Sequence, residues 1–237
     1  MKRSTYSLIL MDDVVAAIDR LAAQQGTSRS NLINQILAEH VSCVTPEQQM
    51  RQIFACLTQQ MNSAFRIQEQ GSDAMLSILG SVQYKYRPTI RYSVELHREM
   101  HGEKVGILKI SCRTQSQTLL NAIQQFFLFW VQLEQAYEGI EIQELYQIES
   151  NRLTRRLRRH GISSNEALGT AVGKYIQLFH TVLQSYFQGL QQGVPAAILR
   201  HALEKQYVAL HEKLLPKPQK KQTKRMGNNN ENRREFS

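Results

Sequence analysis

The stretch "TYSLILMDD", Thr5 to Asp13, lies near the start of the chain and alternates polar and apolar side chains as a β-strand does. A helical pattern follows it at once, and the next predicted strand comes roughly sixty residues later. A lone strand leaves backbone N–H and C=O groups without hydrogen-bond partners, which is costly. We therefore expect residues 5–10 to pair with the same segment of a second chain.

Apolar side chains at helical spacing predict two helices after this strand. The first begins at Asp12 or Asp13 and ends at Gly26, which suits a left-handed helix end. The second extends from a Ser28 cap to about Val41. One strand and two helices within about 40 residues cannot bury a core as a monomer, so a homodimer is expected.

The segment "STYSLILMDDVVAAIDRLAAQQGTSRSNLINQILAEHV" resembles the ribbon-helix-helix domain of the Arc, MetJ and CopG type of bacterial DNA-binding protein. The resemblance is limited to residues 3–41, and the order of the strand, "IDRLAAQQG" and "SRSNLI" carries it. It implies a homodimer that places an intermolecular two-stranded β-ribbon in the major groove of double-stranded DNA.

The resemblance also implies roles for individual residues. The base contacts would come from one face of the strand: Thr5, Ser7 and Ile9. The phosphate contacts would come from the chain start and the start of the second helix: Lys2, Arg3, Ser28, Arg29 and Ser30. The dimer core would contain Tyr6, Leu8, Leu10, Ile18, Leu21, Leu32, Ile33, Ile36 and Leu37.

The positive net charge favours a polyanionic partner, but the basic residues are unevenly distributed along the chain. The net charge is +9 and the sequence pI is about 9.6. Residues 1–43 are balanced, whereas the excess lies in Arg152–Arg159 and after Lys213. This segment is neutral, and its predicted base contacts are only two hydroxyl side chains and one aliphatic side chain. An alternative is therefore that residues 1–43 serve only for dimerisation.

The rest of the chain predicts an α+β, mainly helical C-terminal region over residues 47–214, followed by a basic disordered tail at 215–237. Three strands in an antiparallel meander are expected at 75–86, 89–96 and 106–112. Helices are expected at about 47–66, 117–137, 143–160, 163–191 and 195–214. This region would add oligomer contacts, ligand sensing or further DNA contact.

Three basic elements outside residues 1–43 have two interpretations each. Each can contact nucleic acid or can be solvated. The three elements are the tail, a predicted helix with five arginines between Arg152 and Arg159, and one face of the meander. That meander face would carry Lys85, Arg87, Arg91, Lys109 and Arg113.

No motif predicts an enzyme, a cofactor or a metal site. "GTAVGKY", from Gly169 to Tyr175, lacks the spacing and the Ser or Thr of a phosphate loop, and its small residues favour close helix packing. "HREMH", from His97 to His101, has its Glu in the wrong place for a zinc protease motif. Cys43, Cys56 and Cys112 follow no pairing pattern and are expected to be free thiols.

The sequence therefore predicts a cytoplasmic transcriptional repressor that binds DNA as a homodimer or higher homo-oligomer, without a membrane span. A ligand or protein partner of the C-terminal region stays open. Two alternatives remain: an accessory DNA-binding protein of plasmid replication, partition or conjugative transfer, and an antitoxin-like autoregulator with a protein partner.

Overall fold

The computed structural model describes residues 5–41, 43–68, 72–85, 87–98, 100, 103–138, 142–159 and 161–215. Within them the helices are α1 (Asp12–Gln24), α2 (Arg29–His40), α3 (Pro46–Gln59), α4 (Gln117–Glu138), α5 (Ile142–Leu145), α6 (Asn165–Gln191) and α7 (Ala196–Leu214). The strands are β1 (Phe65–Gln68), β2 (Met75–Ser81), β3 (Thr89–Leu96), β4 (Lys104–Cys112), β5 (Tyr146–Glu149) and β6 (Arg152–Arg158).

All six strands form one antiparallel sheet in the order β1-β2-β3-β4-β6-β5. Side chains alternate between its two faces, and β3 and β4 bury every second residue. The buried face contains Ile90, Tyr92, Val94, Leu96, Leu108 and Ile110. The expected meander of β2, β3 and β4 is therefore present, but it is the centre of a larger sheet.

Helices α4 and α6 pack against this buried face through aromatic rings. The Tyr92 ring meets the Phe179 ring edge-on, with centroids 6.1 Å apart. Phe179 also contacts Phe126 at 5.4 Å and Trp130 at 4.7 Å. Trp130 extends the cluster to Tyr207 of α7, at 5.4 Å. The core of the chain thus lies between the sheet and these helices.

Two glycines of "GTAVGKY" let α3 approach α6 closely. A Cβ atom on Gly169 would lie 2.2 Å from the Ile53 carbonyl oxygen, and one on Gly173 would lie 2.7 Å from the Gln60 Cβ. Both glycines are buried within α6. The prediction that this motif serves helix packing is confirmed.

The prediction of a ribbon-helix-helix domain over residues 1–43 is wrong. The described part of this region, residues 5–41, is helical at α1 and α2, and its residues 5–11 pair with no strand. All strands follow α3 and pair with one another. Alternation of side chains predicts a strand only if a partner supplies the ladder of hydrogen bonds, and nothing in the described chain supplies one here.

One predicted helix is too long, and another is wrong. The helix expected at 47–66 ends at Gln59, after which β1 begins at Phe65. The segment expected as a helix at 143–160 is the short α5 followed by the β5–β6 hairpin. The helices expected at 117–137 and 195–214 are confirmed as α4 and α7. The helix expected at 163–191 is present as α6, which begins at Asn165 and is capped by Ser164.

Strand β6 carries a partly buried arginine on its otherwise apolar inward face. Leu153, Arg155 and Leu157 point inward, in register with the buried side of β4. The Arg155 Nε donates to the Tyr146 Oη at 2.9 Å, and its guanidinium lies 4.2 Å from the Tyr175 ring centroid. The carboxylate of buried Glu134 lies 3.5 Å from the Arg155 Nε. Partners of this kind allow an arginine to occupy a core position.

Candidate nucleic-acid interface

The N-terminal segment, defined as residues 5–44, is the least buried part of the described chain. Its helices α1 and α2 bury only Ala22 and Leu32. Of the sixteen large hydrophobic side chains that are exposed among the described residues, eleven lie between Tyr6 and Val44. Clusters of exposed apolar side chains mark surfaces that another molecule covers.

The residues predicted for the dimer core divide into two groups. Leu32 is buried and Ile18 and Ile33 are partly buried. The others are exposed in the single chain: Tyr6, Leu8, Leu10, Leu21, Ile36 and Leu37. Helices α1 and α2 thus meet through a minimal contact and leave most of their apolar side chains uncovered.

A cleft of about 850 Å³ lies between residues 6–10 and the two helices. Tyr6 and Leu8 line one side of it, and Arg29 and Ser30 at the start of α2 line another. Of the predicted base contacts, Ile9 lines this cleft, whereas Thr5 and Ser7 do not. Ile9 shares the cleft with Arg29 and Ser30, two of the predicted phosphate contacts.

Arg29 is bound to an acidic neighbour. Its Nε donates to the Asp19 Oδ1 at 2.5 Å, and its Nη2 donates to the Asp19 Oδ2. This hydrogen-bonded pair lowers the pKa of Asp19 below its usual value. The Ser28 Oγ accepts from the Asn31 backbone N–H at 3.3 Å, as a helix cap does. The Ser28 hydroxyl hydrogen can still donate to another acceptor.

The residues predicted to contact bases are accessible. Thr5, Ser7 and Ile9 are all exposed, and Ile9 is fully so. Lys2 and Arg3, predicted to contact phosphates, lie outside the described residues, as does the tail from 216 to 237.

Three basic residues of the sheet were not singled out as a group by the sequence. Arg66 lies on β1, and Arg152 and Arg156 lie on β6, all on the face opposite the helices. Arg91 of β3 and Lys109 of β4 share this face, as the meander predicted. The signal that could have identified the group is the alternation of "RLTRRLR", once Arg155 is recognised as an inward residue.

Buried His180 belongs to the core. Its Nδ1 lies 2.8 Å from the Tyr92 Oη, and its ring packs against Phe65 with centroids 4.8 Å apart. Burial lowers the pKa of His180 to about 4, partly offset by a hydrogen bond to the Ser81 backbone. A neutral imidazole sealed between these groups stabilises the α6–sheet contact.

No group of three or more His, Cys, Asp or Glu side chains able to hold a metal ion occurs among the described residues. Of the "HREMH" histidines, His97 is exposed and His101 lies outside the described residues. Cys43, Cys56 and Cys112 are free thiols.

No known protein family, curated protein or solved structure matches this chain. The resemblance of residues 3–41 to a DNA-binding family therefore stays a prediction. Across the described parts of the chain, every helix is too short or too polar to cross a membrane.

Proposed function

We propose that the chain is a sequence-specific DNA-binding regulator of transcription, a repressor, that acts as a homodimer in the cytoplasm. One observation carries the proposal: the N-terminal segment combines an uncovered apolar surface with the exposed polar residues Thr5 and Ser7. A second copy of the chain covers the apolar surface, and DNA lies against the polar residues. The proposal does not depend on a β-ribbon.

Burial and charge support self-association of this segment. Large side chains such as Leu8, Ile36 and Leu37 are 45–60% exposed in one chain. Because about half of each side chain is already covered, burying the rest contributes about 1 kcal/mol per side chain. Because residues 1–43 have balanced charge, two copies can approach without strong repulsion. A two-fold dimer brings the same surface of both chains together.

Chemistry supports DNA as the ligand of residues 5–9. The hydroxyls of Thr5 and Ser7 can donate to or accept from base edges, and Ile9 can contact a thymine methyl group. The net charge of +9 favours a polyanion. Repression requires no catalytic group, since occupancy of a promoter is sufficient.

The test is selection of bound DNA from a random duplex pool by the full chain, followed by footprinting. A homodimer should enrich a sequence with two-fold symmetry. Absence of any enriched sequence would contradict the proposal. Enrichment of tandem direct repeats covered by several dimers would instead favour the accessory role in replication, partition or transfer.

Thr5→Ala combined with Ser7→Ala should then abolish most of the discrimination between the selected and a scrambled duplex. Loss of two hydrogen bonds of about 1 kcal/mol in each of two chains predicts a fall in this ratio of roughly 1000-fold. The matched control is Thr118→Ala with Ser185→Ala on α4 and α6. If the Thr5→Ala, Ser7→Ala variant keeps the wild-type ratio, residues 5–9 do not recognise the DNA sequence.

A further inference from the structure

The outward face of the sheet, opposite α4 and α6, has its own chemistry. Its three aliphatic side chains, Met75, Leu79 and Ile107, take no part in the core cluster. Arg66 and Arg156 are exposed on it. Antiparallel sheets often leave one face to solvent, so exposure alone indicates no ligand. The arrangement of the charges is more informative.

The strand register aligns the outward side chains in rows that cross the sheet. The first row contains Arg66, Leu79, Arg91, Ser111, Arg152 and Glu149. The second row contains Gln68, Ser77, Ser93, Lys109, Thr154 and Gln147. The third contains Met75, Glu95, Ile107 and Arg156. Three arginines thus share one row and are spaced two strands apart.

Part of this charge is neutralised within the sheet, and part is not. The Lys109 Nζ lies 2.7 Å from the Glu95 carboxylate, and Arg152 lies 3.5 Å from the Glu149 carboxylate. Within the described residues, Arg66, Arg91 and Arg156 form no ion pair. Four inter-strand spacings separate Arg66 from Arg152, which is about 19 Å. The three rows thus carry five basic and two acidic side chains, and three of the arginines have no carboxylate partner within the described residues.

The residue types of this face suit phosphate oxygens. Arginine, lysine, serine, threonine and glutamine side chains make most protein contacts to nucleic-acid phosphates. Charge-assisted hydrogen bonds from guanidinium groups to phosphate are short and strong. In the second row, the exposed Gln68 and Gln147 and the partly exposed Thr154 supply amide and hydroxyl donors. Ser77 of this row is buried and hydrogen-bonded to Ser93. A protein partner would instead require a central apolar cluster, and the three aliphatic residues lie apart in rows one and three.

We infer that the outward sheet face binds the phosphate backbone of duplex DNA and adds affinity without reading sequence. The inference rests on the proposed function for the identity of the polyanion. Residues 1–43 have balanced charge and can contribute little phosphate neutralisation, which supplies most non-specific affinity for DNA. The basic side chains of the sheet would supply this affinity instead.

The experiment measures affinity of the full chain for a selected and a scrambled duplex, by fluorescence anisotropy across a range of salt. The variant is Arg66→Gln with Arg91→Gln and Arg156→Gln. Loss of three phosphate contacts should reduce the slope of log K against log salt by about 3 and weaken both duplexes by roughly 100-fold at 0.15 M salt. The variant with lysine at all three positions should retain most of the slope, since the charge is kept.

A matched control removes the same charge from the helical side: Arg51→Gln with Lys205→Gln and Lys213→Gln, which are exposed on α3 and α7. The inference predicts little change in its slope. An unchanged slope in the sheet variant, or an equal fall in the control, would overturn the inference. A sheet variant that loses affinity for single-stranded RNA but not for duplex DNA would overturn it as well.

The two proposals fail in different ways. If wild-type chain selects a sequence and the sheet variant keeps its slope, the sheet inference falls and the proposed function stands. If wild-type chain binds all duplexes equally and the sheet variant loses slope, the sheet inference stands and sequence-specific regulation falls. If wild-type chain binds no duplex, both fall.

Discussion

The N-terminal segment leaves most of its large apolar side chains exposed, whereas the C-terminal region buries them in a core. Between Tyr6 and Val44, eleven large hydrophobic side chains are exposed, and α1 and α2 bury only Ala22 and Leu32. From α3 onward, one cluster gathers the buried residues of the sheet and of α4, α6 and α7. The C-terminal region buries its apolar side chains within a single chain, whereas the N-terminal segment leaves most of its own exposed.

This difference assigns stability and association to separate parts of the molecule. A side chain of the C-terminal core contributes to folding at any protein concentration. In the proposed homodimer, an exposed apolar side chain of the N-terminal segment contributes through the interface, so its contribution depends on protein concentration.

The largest effect is expected from the centre of the aromatic cluster. Phe179→Ala should lower the free energy of unfolding by about 3–5 kcal/mol, because it removes contacts to Tyr92, Phe126 and Trp130 and leaves a cavity. Urea unfolding followed by the fluorescence of Trp130, the only tryptophan of the sequence, measures this loss. The loss should be the same at low and high protein concentration.

Leu37→Ala is the matched change in the N-terminal segment, where the side chain is 53% exposed. It should leave the Trp130 transition nearly unchanged at low protein concentration and lower it only where the wild-type chain associates. If Phe179→Ala and Leu37→Ala lower the free energy of unfolding equally and at every protein concentration, the two regions form one core.

A smaller effect is expected from pH, and only in the C-terminal region. The pKa of His180 is lowered to about 4 by burial, so the unfolded chain binds a proton there at a higher pH than the folded chain does. The stability from neutral His180 is fully present above pH 6.5 and is lost as the pH falls from 6.5 towards 4. Between pH 7 and pH 5 the loss is about 2 kcal/mol.

His180→Gln should reduce this pH dependence of the unfolding free energy, because the variant has no group that titrates at this position. His201→Gln, a change at an exposed position of α7, is the control and should leave it intact. If His180→Gln has the same slope between pH 5 and pH 7 as wild-type chain, the core histidine is not the cause.

Much of the C-terminal region could be predicted because its patterns are local. The period of two in β3 and β4 and the apolar stripes of α4 and α7 follow directly from the buried residues. The packing role of Gly169 was also predictable, since small residues within a helix mark close approaches. Each of these signals lies within one element and needs no knowledge of its partners.

The errors arose where a partner decides the outcome. Residues 5–10 alternate, but alternation does not supply a neighbouring strand, and the predicted ribbon-helix-helix fold is wrong. Strand β6 carries Arg155 on its inward face, and that residue is acceptable there only because Glu134, Tyr146 and Tyr175 surround it. The row of arginines on the outward face depends on strand order, which a single sequence does not reveal.

The most direct test of the central claim is sedimentation of the full chain with Leu37→Glu and with Ile198→Glu as its control. Both side chains are exposed in the single chain, Leu37 at 53% and Ile198 at 62%, but only Leu37 belongs to the N-terminal segment. A loss of about 2 kcal/mol per side chain, counted twice in a two-fold dimer, should weaken dimerisation by roughly 1000-fold. We predict a wild-type dimer, a monomeric Leu37→Glu variant and a dimeric Ile198→Glu variant; a monomeric wild-type chain, or a Leu37→Glu variant that dimerises as wild type does, would contradict the claim.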